Sequence, residues 1–92
     1  MKFEDILTKM NETYRSKNSD YGNSFDETCD KFGPIAGIVR ITDKYNRIVQ
    51  LLTKKSQQKV DESVQDTLLD MANYCILLML WLNKNKDDVE NK

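Results

Sequence analysis

The stretch ESVQDTLLDMANYCILLMLWLN, Glu62 to Asn83, decides the fold, because its apolar residues recur with the period of one long α-helix. Its first half is polar on one side. From Cys75 to Leu82 it is apolar nearly all round, the pattern of a helix enclosed by neighbours or seated at a subunit interface. That apolar run falls far short of the ~20 residues that span a bilayer, so it belongs to a core or an interface and no membrane partner is expected.

Upstream, Phe3, Ile6, Leu7, Met10 and Tyr14 recur at spacings of three and four and predict a first helix over residues 2–15. The turn formers from Ser16 to Asn23, with Gly22 among them, are expected to stop it. Ser24 and Glu27 have the spacing of a capping box, so a short helix is expected over residues 25–32. Gly33-Pro34 ends that helix and Ile35 opens a third, because proline disfavours helix in the residue before it and is tolerated in a first turn. This third helix should run to about Lys54 and bury Ile38, Ile41, Tyr45, Ile48 and Leu52. A polar stretch from Lys54 to Lys59 follows, and Asp61 is the candidate N-cap of the helix quoted above. Nothing reads as a strand. The expected fold is all-α: a compact bundle of three long helices and one short one in a single domain, residues 1–83, with a polar tail over 84–92 too poor in apolar residues to order.

Length and composition narrow the chemistry. A chain of 92 residues buries a small share of its surface, so completion of the bundle as a homo-oligomer is expected. With no histidine, every His-based triad, acid–base pair and zinc–histidine site is excluded within the chain. Fourteen basic against fifteen acidic residues leave a formal charge of −1, which argues against duplex nucleic acid as a partner. Cys29 and Cys75 are isolated and read as buried, reduced thiols. Acidic residues directly after Met1-Lys2-Phe3 are unlike a signal peptide, and a cytoplasmic location is expected.

The candidate chemistry lies on two helix faces. Glu62, Asp66, Asp70 and Asn73 project within roughly 80° on one side of their helix. Carboxylates stacked at i, i+4 and i+8 repel one another, so a cation is expected to face them. A hard ion such as Mg²⁺ or a basic side chain from a neighbouring helix would serve, and solvated acids at the positive end of a helix are the plainer explanation of Glu62 and Asp66. Asp70 and Asn73 sit among apolar neighbours, where a polar group has a partner or a job. On the third helix Arg40, Asp43, Lys44 and Arg47 fall within roughly 100° of one another. The three cations suit nucleotide phosphates and Asp43 adds a carboxylate toward a shared metal, while Asp43 with Arg47 is equally an ordinary i, i+4 pair.

Three segments, Asp20-Tyr21-Gly22-Asn23-Ser24-Phe25, then Arg40 to Ile48, then Asp61 to Tyr74, together resemble the nucleotide modification associated domain 1 family. That family is frequent in phages and is similar in helical layout to the all-α nucleoside triphosphate pyrophosphatases, the MazG-like and dimeric dUTPase enzymes. The resemblance implies acids from two adjacent helices around Mg²⁺, with Asp43 from the first and Glu62, Asp66 and Asp70 from the second, and Glu62 or Asp66 handling the attacking water. The enzymes' pattern is ExxE followed by ExxD; here the first element is Arg40-Ile41-Thr42-Asp43 and the second spaces its acids by four. Tyr21 or Phe25 would stack on a base while Asn23 bonds its edge, or both aromatics seal helix ends. The expected function is Mg²⁺-dependent pyrophosphohydrolysis of a (deoxy)nucleotide. The rival is capture of a nucleotide or cyclic-nucleotide signal without turnover, as a phage uses against host defence. A third reading, a helical interaction module, rests on residues 75–82 with Trp81.

Overall fold

The computed structural model describes the backbone of residues 1–53 and 62–90 and, within them, all side chains except those of residues 18–22, 62 and 86–90. The described residues form three helices, α1 (Phe3–Phe32), α2 (Ile35–Thr53) and α3 (Glu62–Glu90), and no strand, so the fold is all-α. Asp61 and the Lys54 to Lys59 stretch lie outside the described residues.

At the start of α1, the Lys2 backbone N–H donates to Asp5 Oδ2 at 3.0 Å, and Glu4 joins Asp5 at the positive end of the helix. The break expected near Gly22 does not occur. Residues 25–32 continue α1, and Ser24 is a helix-interior residue whose carbonyl accepts from Thr28 Oγ1 at 2.8 Å. A glycine inside a helix costs about 1 kcal/mol relative to alanine. Burying one phenylalanine contributes about 1.5–3 kcal/mol. Phe25 and Cys29, both buried, lie on the continued segment, so the core holds the helix through its weak point.

The helix does end where Gly33 and Pro34 predict. Gly33 adopts φ 82°, and its N–H donates to Cys29 O at 2.8 Å. The amides of Ala36 and Gly37 then bond back to the carbonyls of Gly33 and Pro34, which starts α2 at once.

The main core gathers Phe25 and Cys29 of α1 with Tyr74, Leu77 and Trp81 of α3, and Ala36, Ile41 and Leu78 pack against it. Phe25 stacks on Tyr74 with ring centroids 6.1 Å apart. Trp81 Nε1–H crosses to Asp30 Oδ1 at 2.9 Å. Gly37 is buried at the closest approach of α2 to this core: a Cβ there would lie 2.9 Å from Leu78 Cδ1 and 3.0 Å from Phe25 Cζ.

The buried stripe of α2 is narrower than its apolar arc and turned from it. Gly37 and Ile48 are buried and Ile41, Lys44 and Leu51 half-buried, whereas Ile38, Tyr45 and Leu52, expected inside, are exposed. Two neighbouring helices cover only one side of a third, so apolar residues round the rest of α2 stay in solvent. The same geometry leaves residues 75–82 only partly enclosed within the chain: Leu77 and Trp81 are buried, but Ile76, Met79, Leu80 and Leu82 are exposed in the single chain. Beyond Asn83, α3 continues to Glu90, with Asn85 Nδ2 donating to Trp81 O at 2.8 Å. Among the described residues no helix is long and apolar enough to cross a membrane.

Candidate functional site

Arg40, Asp43, Lys44 and Arg47 occupy one face of α2 because i, i+3, i+4 and i+7 are neighbours on a helix. With Tyr74 of α3 they line a cleft of about 260 Å³. Arg40, Asp43 and Arg47 are exposed, Lys44 is half-buried, and Tyr74 is buried with its ring backed by Phe25. Lys44 Nζ stands 3.4 Å from Asp70 Oδ2, with the two side chains 29% and 23% exposed. Among the described residues this is the ion pair between helices, and Arg40, Asp43 and Arg47 make none. Three cations and one carboxylate thus line the cleft.

On the acidic face Asp70 is met by a cation, the Lys44 ammonium, one of the two kinds of partner expected there. Asp66 is exposed, and the Glu62 side chain lies outside the described residues. Among the described residues no three metal-ligating side chains come together. With Asp70 already paired to an ammonium group and Asp66 exposed, the described side chains do not by themselves fit a divalent ion.

Asn73 does not line the cleft; its Nδ2 is buried and has no hydrogen-bond partner among the described residues. Asn23 is exposed, and the Tyr21 side chain lies outside the described residues. Phe25, offered as a base-stacking platform, is a core residue at 3% exposure and presents no face to a ligand. The residue that sequence reasoning missed is Tyr74. Its signal was its position one turn beyond Asp70, on the side of α3 that meets α2.

Both cysteines are free, Cys29 buried and Cys75 half-buried. Burial pushes the Cys29 thiol above its ordinary pKa; the Gly37 backbone opposes this, Asp26 and Asp30 reinforce it and Arg40 opposes it again.

A family model described as nucleotide modification associated domain 1 matches residues 17–82, well over half of the chain. The chain belongs to that family. The matched span of the nucleotide modification associated domain 1 family takes in all of α2, the cleft and its partner Asp70, and the core through Trp81. It leaves out the first part of α1 and the end of α3. No curated protein and no solved structure is significantly similar to the chain.

Proposed function

We propose that this protein binds a nucleotide by its phosphates in the cleft between α2 and α3. The observation that carries the reading is the convergence of Arg40, Lys44 and Arg47 on one hollow that contains a single carboxylate, Asp43. Guanidinium groups bind phosphate oxygens through paired N–H donors, and an ammonium adds a point charge with three donors. The family description, which concerns nucleotide modification, supports the same ligand class. Asn23 is the amide assigned to the base edge, and Asn73, whose buried amide nitrogen lies outside the cleft lining, is kept as a substrate-binding candidate. A cytoplasmic location, the host's if the chain is phage-encoded, and self-association through the exposed apolar side chains of α2 and α3 belong to this reading.

Titration calorimetry against the common ribo- and deoxynucleoside triphosphates and cyclic nucleotides tests it. Binding that weakens for Arg40→Ala and Arg47→Ala supports the cleft. A ligand recovered intact by chromatography identifies capture rather than turnover.

A second reading, Mg²⁺-dependent pyrophosphohydrolysis, is favoured by Asp43 opening onto the same hollow as the cations. Its test is pyrophosphate release from each triphosphate with Mg²⁺, abolished by Asp66→Asn. Absence of release from all of them removes the enzyme reading and leaves binding.

A further inference from the structure

We infer that Lys44 takes the place of a divalent cation in the α2–α3 cleft, so that the site accepts a polyphosphate without metal. The inference rests on the nucleotide reading above and specifies how its phosphates are neutralised.

Three observations lead to it. The cleft lining carries Arg40, Lys44 and Arg47 against Asp43, a surplus of positive charge before any ligand arrives. A magnesium ion entering there meets fixed guanidinium charges, whereas a phosphate chain meets charges of opposite sign.

Asp70, half-buried where Asp43 and Asp66 are exposed, is already paired with Lys44 at 3.4 Å. A metal at Asp70 must first displace that ammonium from a partly desolvated position. Among the described residues no group of three metal ligands forms around it. Mg²⁺ demands near-octahedral oxygen coordination and holds its water tightly, so one engaged carboxylate beside a basic stripe is a poor host.

The Lys44 ammonium has three donors, and Asp70 engages only part of this capacity. Asp70 then acts as a positioning residue. It keeps Lys44 drawn toward α3 in the cleft lining, and Arg40 and Arg47 supply bidentate contacts from one helix turn on either side.

The experiment is calorimetry of the full chain with inorganic tripolyphosphate and with the nucleoside triphosphates, once in EDTA and once in Mg²⁺. The affinity in EDTA is expected within about threefold of that in Mg²⁺, and Lys44→Gln is expected to weaken it about tenfold or more. Asp70→Asn separates the roles without relying on a single variant, because an asparagine oxygen still accepts from Lys44 but is a poor Mg²⁺ ligand. Binding by Asp70→Asn that is equally strong in EDTA and in Mg²⁺ supports the inference. Binding only when Mg²⁺ is present, lost in Asp70→Asn, overturns it and leaves the nucleotide reading intact. Binding in neither buffer overturns the nucleotide reading and this inference together.

Discussion

The indole N–H of Trp81 on α3 lies 2.9 Å from Asp30 Oδ1 on α1, which ties the two longest helices together at the edge of the core. Trp81 is otherwise buried, so its N–H has been taken out of water and depends on that carboxylate. Removing the partner leaves a desolvated donor, at a cost of about 1–3 kcal/mol. Asp30→Ala is therefore expected to lower the urea midpoint by a corresponding amount and to alter Trp81 fluorescence. An unchanged midpoint counts against the bond as a structural tie. Trp81 is the only tryptophan in the chain, so the fluorescence signal is unambiguous.

Gly37 sets the spacing of α2 from the core. Alanine at this position gains up to about 1 kcal/mol of helix propensity. Its methyl meets Leu78 Cδ1 at 2.9 Å and Phe25 Cζ at 3.0 Å. Leu78 can rotate, but the Phe25 ring is held against Tyr74. Overpacking of this kind costs about 1–3 kcal/mol, so Gly37→Ala is expected to be destabilising on balance. Equilibrium denaturation of the variant checks the sign; stabilisation would show that the helices can separate freely.

The buried thiol of Cys29 makes stability pH-dependent at the alkaline end. Burial raises its folded pKa above the ordinary value of 9.0, so the folded chain holds the proton more tightly than the unfolded chain does. This contribution is fully present below the unfolded pKa and is lost as pH rises through the folded one. Denaturation midpoints measured at about pH 7.5 and about pH 10 should fall more for the native chain than for Cys29→Ala. Equal slopes for the two proteins contradict this.

Asn73 holds a buried amide nitrogen with no hydrogen-bond partner among the described residues. Leucine has a similar size and no donor to desolvate. Asn73→Leu is expected to raise stability by about 1 kcal/mol and, with Asn73 kept as a substrate-binding candidate, to weaken nucleotide binding. Thermal melting and calorimetry on the same preparation read both effects. Stabilisation with unchanged affinity would remove Asn73 from the site.

Features governed by near neighbours along the chain are legible in the sequence itself. The Gly33-Pro34 punctuation ends α1 and starts α2 because it acts through the φ of one residue and a missing amide. The basic face of Arg40, Lys44 and Arg47 follows from helical period alone, as does the alignment of Asp66 with Asp70. The all-α class follows from the same periodicity, and the expected cation opposite the acidic face follows from like-charge repulsion.

What tertiary structure decided concerns relations between helices. Gly22 carries the local signal of a break, yet burial of Phe25 and Cys29 against α3 keeps α1 continuous. The apolar arc of α2 is broad, and only the placement of α1 and α3 determines that Ile48 is covered and Tyr45 is not. By its spacing the acidic face is a candidate metal site; packing assigns Lys44 to Asp70 and brings Tyr74 to the cleft. Local geometry sets which residues share a helix face, because it depends on bond rotations within a few residues. Burial and charge pairing depend on distances across the bundle, and those distances exist only once the helices have packed.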